Sequence, residues 1–322
     1  MITKPAAKNI LVIKHGALGD IIQADGAFQD IRENYPDAHI TVMSEPAYAK
    51  YFARCPWVDD IFEDPRSSRW HLPAMAKLRK RIRAEKFDFV VDLQNNGRSG
   101  SYFRFLFPKT PWSGIVRGAS HRRRSKDRNK IIGLPRYQTQ LLEAGLISKH
   151  AISPNISWLA EDVSELLAKY DLTDKPYIFL VPGSSAQHIV KRWPHYKELI
   201  TKLEADGYKT VTCPGPDDVE LCKQLPSVMI QGDPYLDWPA LAGLMKEASF
   251  VVGNDTGPVH LAAHMNQITV ALFGRYFPAY KSGIHRPNVQ VIEVDDLSNL
   301  PVQEVYAAAG NLLRNYRADP VS

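Results

Sequence analysis

The sequence has few cysteines and no long apolar run, and both shortages limit what the protein can be. Three cysteines occur among 322 residues, and no CxxC pair is present. An odd number without a pairing framework predicts a reducing compartment rather than a disulfide scaffold. No stretch approaches eighteen apolar residues, and the run before Lys14 is too short for a signal peptide. We expect a cytoplasmic protein without a transmembrane segment, and a peripheral contact with the inner face of the inner membrane stays open.

Several catalytic signatures are also missing. The sequence contains no GxGxxG dinucleotide fingerprint, no GxSxG nucleophile elbow, no HExxH zinc pair and no Asp-x-Asp triplet. His260 and His264 stand at i and i+4, but nothing else of a zinc site accompanies them. We therefore expect no metal and no cofactor, and a nicotinamide oxidoreductase or a GxSxG hydrolase is disfavoured.

The fold class is predicted from the hydrophobic content and from the alternation of strand-like and helix-like stretches. Hydrophobic residues make up 44% of the chain, and the net charge is +5. Short apolar runs alternate with amphipathic stretches from residue 9 to about 117, and again from residue 176. This predicts an α/β protein of two Rossmann-like doubly wound domains facing a cleft, 1–160 and 161–322. The final helix can also pack back on the first domain.

The block "GNDTGPVHLA", Gly253 to Ala262, follows the apolar run "FVV" and precedes a helical pattern. Unpaired amides at the start of a helix, with its dipole, suit a phosphate or diphosphate. Asp255, Thr256 and Gly257 lie at that start, and His260 follows as a modest ligand candidate. Capping by Asp255 or Thr256 alone is the simpler alternative, but it does not require so many special residues together.

Two further loops follow predicted strands of the second half. "PGSSAQHIVKRWP" supplies Ser184, Ser185 and the cation Lys191, which suit a diphosphate leaving group. A solvated basic turn is an equally good interpretation. "PGPDD" supplies Asp217, which could accept hydrogen bonds from a ribose, as could its neighbour Asp218. A helix-starting acid is the alternative.

The first half offers two candidate stretches. In "KHGALGD", Gly16 and Gly19 allow close approach of a ligand, and Asp20 could be a general base. From spacing alone, Asp20 is better explained as a helix N-cap. The segment 117–128 is strongly basic and could bind phosphates or carboxylates of an acceptor through Arg122, Arg123 and Arg124. A solvated loop is equally plausible, and poor aromatic interleaving argues against nucleic acid.

Taken together, "ILVIKHGALGDIIQADGAFQDIRENYPDAHITVM", "KRWP" and "GNDTGPVHLAA…TVALFG" resemble glycosyltransferase family 9, the ADP-heptose:lipopolysaccharide heptosyltransferases. The resemblance implies a GT-B fold and an inverting, metal-independent transfer from an ADP-linked heptose to an anionic, lipid-linked oligosaccharide of the inner core. It implies that Asp20 is the catalytic base, that Lys191, Asp255, Thr256 and Gly257 hold the diphosphate, and that Asp217 or Asp218 contacts the ribose. His15 and the loop "HRRRSKDR" depart from the pattern.

Two alternatives stay open at this point. The chain could use another nucleotide sugar on the same fold, because family membership does not settle the donor. It could also bind a nucleotide sugar without turning it over, in which case Asp20 would be dispensable.

Overall fold

The protein is described by a computed structural model, which covers residues 3–68, 70–106, 109–124, 133–276 and 278–318. The chain divides into two compact units, 1–155 and 156–322. The division falls between 155 and 156, whereas the sequence placed it between 160 and 161. Each unit is an α/β body with its own sheet.

The amino-terminal unit alternates strands and helices from its first strand onward. Its strands are β1 (Asn9–Ile13), β2 (His39–Ser44), β3 (Asp60–Glu63), β4 (Phe89–Asp92), β5 (Trp112–Gly114) and β6 (His121–Arg122). Its helices are α1 (Leu18–Asn34), α2 (Ala49–Phe52), α3 (Leu72–Glu85), α4 (Gly97–Phe105) and α5 (Pro135–Glu143), with a 3₁₀ turn at Pro46–Tyr48.

The described strands of this unit form one parallel sheet in the order β3-β2-β1-β4-β5-β6. Most residues of β1 and β4 are apolar, and they are almost wholly buried. This pattern is typical of a parallel sheet, because helices cover both of its faces. The order reverses direction at β1 and β4. Loops after these two strands therefore lie at the topological switch point, where ligands bind in open α/β sheets.

The carboxyl-terminal unit repeats this plan. Its strands are β7 (Tyr177–Val181), β8 (Lys209–Thr212), β9 (Val228–Met229), β10 (Phe250–Asn254), β11 (Thr269–Gly274) and β12 (Val289–Val294). Its α-helices are α6 (Ser164–Lys169), α7 (Tyr196–Ala205), α8 (Val219–Lys223), α9 (Trp238–Glu247), α10 (Gly257–His264) and α11 (Val302–Ala318). Its 3₁₀ turns are Ser157–Leu159, Ala186–Lys191, Ala279–Lys281 and Leu297–Asn299.

The second sheet is also parallel throughout its described part, in the order β12-β11-β10-β7-β8-β9. Its switch point lies at β7 and β10. The sequence left open that the final helix packs on the amino-terminal domain. The helix, α11, packs on its own unit, where Val305 and Ala309 join the core against β10 and β11. The predicted class, two Rossmann-like doubly wound domains, is confirmed. No helix in the described parts of the chain is long and apolar enough to cross a membrane.

The structure differs locally from the predictions, and the helices α4 and α6 were not predicted. The stretch 46–55, predicted as one helix, forms a 3₁₀ turn followed by the four-residue α2. The stretch 118–137, predicted as a loop, contains the short edge strand β6. The sequence missed α4, because "GRSGSYFRF" contains glycine and serine, which favour other structures. The helix forms because Asn96 and Ser99 build a capping box at its start.

Candidate active site

The last two residues of β10, Gly253 and Asn254, fix the start of the loop that leads to α10. Gly253 is required for packing, because a β-carbon there would lie 2.5 Å from both Val181 Cβ and Val259 Cγ2. Asn254 is fully buried, and its Nδ2 donates to the Pro182 carbonyl at 2.8 Å. Asn254 therefore ties the loop after β10 to the loop after β7.

Asp255 is the centre of a charged cluster at this switch point. Lys191 Nζ lies 2.6 Å from one carboxylate oxygen, and His260 Nε2–H donates to the other at 3.2 Å. Burial alone would raise the pKa of Asp255, but the hydrogen bonds from His260 and Lys191 outweigh burial and lower it below its usual range. The carboxylate is thus charged, and it fixes the position of the Lys191 ammonium.

The amides at the start of α10 are the second element of this site. Thr256 occupies the N-cap position, yet its side chain makes no capping hydrogen bond and instead donates to the Asn254 carbonyl at 3.2 Å. Asp255 does not cap either, since its carboxylate is paired with Lys191 and His260. Capping therefore does not explain the block. The first hydrogen bond of the helix runs from the His260 amide to the Thr256 carbonyl at 3.2 Å, and the amides before it have no intrahelical partner.

His264, one turn further along, is structural. It is fully buried, and its Nδ1–H donates to the His260 carbonyl at 2.8 Å. Burial lowers the pKa of this imidazole well below its ordinary value, so it stays neutral.

Arg192 and Ser184, a predicted donor contact, together hold the loop after β7, and the Ser184 hydroxyl donates to the His188 carbonyl at 2.9 Å. Arg192 donates to the Ser184 hydroxyl at 3.1 Å, to the Ser184 carbonyl at 2.8 Å and to the Asp217 carbonyl at 3.1 Å. Ser184 is buried, whereas Ser185 and Asp217 are exposed. One Asp217 carboxylate oxygen accepts from the Ala186 amide at 3.1 Å. The ends of β7, β8 and β10 therefore bring Ser184, Asp217 and Asp255 to one edge of the sheet.

Asp218, the alternative to Asp217, lies closer to the interior. A β-carbon at Gly183 would lie 1.6 Å from an Asp218 carboxylate oxygen, so the glycine makes room for this side chain. The Asp218 carboxylate accepts from the Gly215 amide at 2.6 Å. Burial raises the pKa of Asp218. Its contacts are those of a loop-forming residue, whereas Asp217 is the acid that reaches solvent.

A cavity of about 370 Å³ opens beside the cluster. It is lined by Val190, Lys191, Asp255, Tyr276, Asp295 and Asp296, among others. The Lys191 ammonium lies 5.5 Å from the centre of the Tyr276 ring, and that ring contacts His188. No group of three His, Cys, Asp or Glu side chains in the described ranges is arranged to hold a metal ion.

In the amino-terminal unit, Asp20 lies in the first turn of α1, and Ala17 occupies the N-cap position. The capping interpretation of Asp20 is therefore wrong. Its carboxylate lies 3.0 Å from Arg136 Nη2, and the Arg136 guanidinium also donates to the Tyr137 hydroxyl at 2.7 Å. The Asp20 side chain is 44% exposed, so it is accessible to a ligand while Arg136 orients it.

The other predicted residues of this unit divide into accessible and buried ones. A β-carbon at Gly16 would lie 2.7 Å from the Tyr48 ring, whereas Gly19 has no atom within 4 Å of that position. Arg123 is buried and donates to the Arg136 carbonyl at 3.1 Å. Arg122 donates to the Ile115 carbonyl at 3.1 Å, and the Arg124 side chain is exposed. Lys126 and Arg128 of the basic segment lie outside the described residues.

Comparison with known proteins decides between the classes that this geometry allows. The family model described as "Glycosyltransferase family 9 (heptosyltransferase)" matches residues 75–307, which is well over half of the chain. The chain belongs to glycosyltransferase family 9. It is a glycosyltransferase, as the sequence motifs predicted.

Individual relatives of this family 9 glycosyltransferase agree with that assignment. The chain is 26% identical over 297 residues to "Lipooligosaccharide heptosyltransferase 2" of Haemophilus influenzae, covering 84% of this chain and 85% of the relative. It is similar in fold to E. coli ADP-heptose lps heptosyltransferase II, with a TM-score of 0.72 at 22% identity over 96% and 99% of the two chains. It is also similar to E. coli heptosyltransferase WaaC with ADP-2-deoxy-2-fluoro heptose, with a TM-score of 0.70 at 20% identity over 94% and 99%.

Sequence reasoning missed two residues that build this site. Asn254 gave a signal, since an asparagine ends an otherwise apolar buried strand, and such a side chain must find buried partners. Arg136 gave none, because it lies far from Asp20 along the chain and only the fold joins them.

His15, which departs from the family pattern, belongs to a buried network in the amino-terminal unit of the glycosyltransferase. Its Nε2–H donates to Asp64 at 3.0 Å, and the Tyr102 hydroxyl donates to the same carboxylate. Arg98 lies 3.6 Å from the other Asp64 oxygen. Burial would raise the pKa of Asp64, but these hydrogen bonds outweigh it and hold the pKa at about 2.

This network predicts a specific loss of stability in acid. The pKa of Asp64 is lower in the folded chain than its unfolded value of 3.8, so its contribution is present above about pH 4 and disappears as the pH falls toward 2. We expect that contribution to be about 2 kcal/mol. Denaturant unfolding from pH 6 to pH 3 should show a smaller loss in Asp64→Asn than in the wild type. If the free energy of unfolding fell equally with pH in the two proteins, Asp64 would not be the source of the acid sensitivity.

Proposed function

We propose that this protein is an inverting, metal-independent glycosyltransferase that moves a heptose from ADP-heptose to the inner core of lipopolysaccharide. The observation that carries the proposal is the Lys191–Asp255–His260 cluster beside the free amides of α10. The family assignment and the heptosyltransferase relatives support it. A heptosyltransferase of the same fold has been solved with an ADP-heptose analogue.

In this proposal the carboxyl-terminal unit binds the donor. The amides of Thr256 and Gly257 and the Lys191 ammonium receive the diphosphate, as a helix N-terminus and a fixed cation suit an anion. These groups stabilise the charge that develops on the diphosphate as it leaves, which is the role that a metal has in other transferases. Asp255 keeps Lys191 in place. Asp217 accepts hydrogen bonds from the ribose, and Ser184, Ser185 and His260 complete the donor site.

The amino-terminal unit binds the acceptor and supplies the base. The acceptor hydroxyl oxygen attacks the anomeric carbon while the bond from that carbon to the diphosphate breaks. Asp20 takes the hydroxyl proton, and ADP leaves with the bonding electrons. One direct displacement needs only this single base and inverts the configuration at the anomeric carbon.

Charge supports an anionic acceptor, which we propose is lipid-linked. Gly19 has open space at its β-carbon position, whereas the missing β-carbon of Gly16 makes room for the Tyr48 ring. Arg122, Arg123 and Arg124 belong to a basic segment of a chain with a net charge of +5. Since Arg123 is buried, we propose that Arg124, with Arg122, makes the direct contacts to acceptor phosphates or carboxylates. We propose that the enzyme acts in the cytoplasm, on acceptor at the inner face of the inner membrane.

The experiment that tests the function is a transfer assay with a lipopolysaccharide acceptor that lacks its inner-core heptose. The protein is given ADP-heptose, or GDP- and UDP-sugars in parallel, and the product is weighed by mass spectrometry. We expect addition of one heptose from ADP-heptose, and an anomeric configuration in the product opposite to that of the donor by NMR. Transfer only from a GDP- or UDP-sugar would contradict the proposal that ADP-heptose is the donor. Binding of ADP-heptose without transfer would contradict the proposal that the protein catalyses the reaction.

Metal independence is a separate prediction. Because Lys191 and the α10 amides supply the positive charge at the diphosphate, we expect kcat to change less than about two-fold in excess EDTA. The measurement is the initial rate of transfer with EDTA against the rate with added Mg²⁺. A loss of about ten-fold or more in EDTA, restored by Mg²⁺, would show that a metal has this role.

A further inference from the structure

The cavity beside Lys191 is lined in part by residues that are not proposed to bind the diphosphate. Its volume is about 370 Å³, within the usual range of small-molecule sites. Beyond Lys191 and Asp255 its lining includes Arg275, Tyr276, Asp295 and Asp296, which follow β11 and β12. None of these four residues is among those predicted to contact donor or acceptor.

Strand order places this cavity on one side of the diphosphate position. The sheet runs β12-β11-β10-β7-β8-β9, so the loops after β11 and β12 lie on one side of Asp255, and Asp217, after β8, lies on the other. With strands about 4.8 Å apart, the loop after β12 stands about 10 Å from the loop after β10. If the ribose lies toward Asp217, the opposite end of the donor extends into the cavity.

Charge separates the two ends of the cavity. At the β10 end the Lys191 ammonium is paired with the Asp255 carboxylate, so the pair carries no net charge and the ammonium can still donate to an anion. At the β12 end are Asp295 and Asp296, and Asp295 has Arg275 only at 3.9 Å, with both side chains at least 80% exposed. The β12 end therefore holds two carboxylates and one guanidinium, and its net negative charge disfavours a phosphate there. A neutral group with hydroxyls would be favoured, since carboxylates accept hydrogen bonds from hydroxyls.

Tyr276 gives the cavity an aromatic wall. Its ring is 57% exposed and lies next to both Lys191 and His188. An aromatic face next to carboxylates suits a sugar ring, because C–H groups pack on the ring while hydroxyls reach the acids.

We propose that this cavity is the subsite for the transferred sugar, and that Asp295 and Asp296 restrict the donor to neutral, polyhydroxylated sugars and reject sugars that carry a carboxylate. The inference rests on the proposed function, because it takes Lys191 as the diphosphate contact. It goes beyond that function by assigning the residues that select the sugar.

The test is calorimetric titration with three probes: ADP, ADP-heptose and ADP-glucuronic acid. The proteins are the wild type, Asp295→Asn/Asp296→Asn and Tyr276→Ala. Asparagine keeps the oxygen of Asp296 that accepts from the Ser298 amide at 2.9 Å, and both aspartates are exposed, so the fold should persist. Tyr280→Ala is the matched control, since Tyr280 is an exposed tyrosine near a lysine but outside the cavity lining.

We expect the wild type to bind ADP-heptose more tightly than ADP. In the double variant this advantage should fall about ten-fold, the loss expected for charged hydrogen bonds, while ADP-glucuronic acid binds more tightly than before. Tyr276→Ala should also reduce the advantage, and Tyr280→Ala should not. The sugar subsite would be contradicted if the wild type bound ADP-heptose no more tightly than ADP, or if the variants lost the same affinity for both. The proposed diphosphate site would be unaffected by either result. A wild type that binds none of the probes would instead overturn the proposed function.

Discussion

Replacement of Asp20 by alanine is expected to lower kcat by about 10²–10⁴-fold while the Kd for ADP-heptose changes less than about two-fold. The reason is the separation of roles in the proposed mechanism. Asp20 is accessible, and Arg136 orients its carboxylate from 3.0 Å, whereas the groups proposed for the donor belong to the other unit. Loss of a general base affects the transition state and not the binding of the donor. The measurement is the transfer rate together with calorimetric titration of the donor.

Two variants make this result specific. Glu33→Ala removes another exposed carboxylate of α1, one that is paired with His150 at 2.9 Å, and it should leave kcat unchanged. Arg136→Gln removes the partner of Asp20 and should lower kcat by a smaller factor than Asp20→Ala, because the base remains but is less well oriented. If Asp20→Ala keeps near-normal turnover, another group is the base.

Replacement of Lys191 by alanine is the second large effect. We expect kcat/KM to fall by about 10²–10³-fold, the loss typical of removing one fixed donor to a developing anion. Unlike Asp20→Ala, this variant should also weaken binding of ADP, because the ammonium contacts the diphosphate in the ground state as well. The Asp255 carboxylate would lose its 2.6 Å partner, and its negative charge would then repel the diphosphate.

The chain offers a closely matched control for Lys191. Lys281 also ends a 3₁₀ turn, and its ammonium lies 5.5 Å from the Tyr280 ring, the same distance that separates Lys191 from Tyr276. Lys281→Ala should change neither ADP affinity nor turnover. Thermal unfolding of both variants shows whether the fold is intact. Equal, small effects of the two substitutions would remove Lys191 from the donor site.

Much of the fold was predictable because the buried strands of a parallel sheet appear in the sequence as repeated apolar runs. Apolar runs make up most of β1, β4, β7 and β10, and the turn residues that follow them mark the edge where ligands bind. The failures are local. β6 is two residues long and basic, and α4 depends on a capping box at Asn96 more than on helix-forming side chains.

The candidate site divides in the same way. Asp255, Thr256 and Gly257 could be placed from the sequence because several special residues stand together at a strand-to-helix junction. The pairing of Asp20 with Arg136 could not be predicted, since no local pattern joins residues so far apart. Nor could the burial of Arg123, because a run of arginines gives no sign of which one the fold turns inward.

We propose that Lys191 and the start of α10 bind a nucleotide diphosphate without a metal. The most direct measurement is calorimetric titration of the wild-type protein with ADP, GDP and UDP in the presence of EDTA. We expect ADP to bind more tightly than GDP or UDP, with an affinity that Mg²⁺ does not change. No binding of ADP in EDTA, or binding that appears only when Mg²⁺ is added, would contradict it.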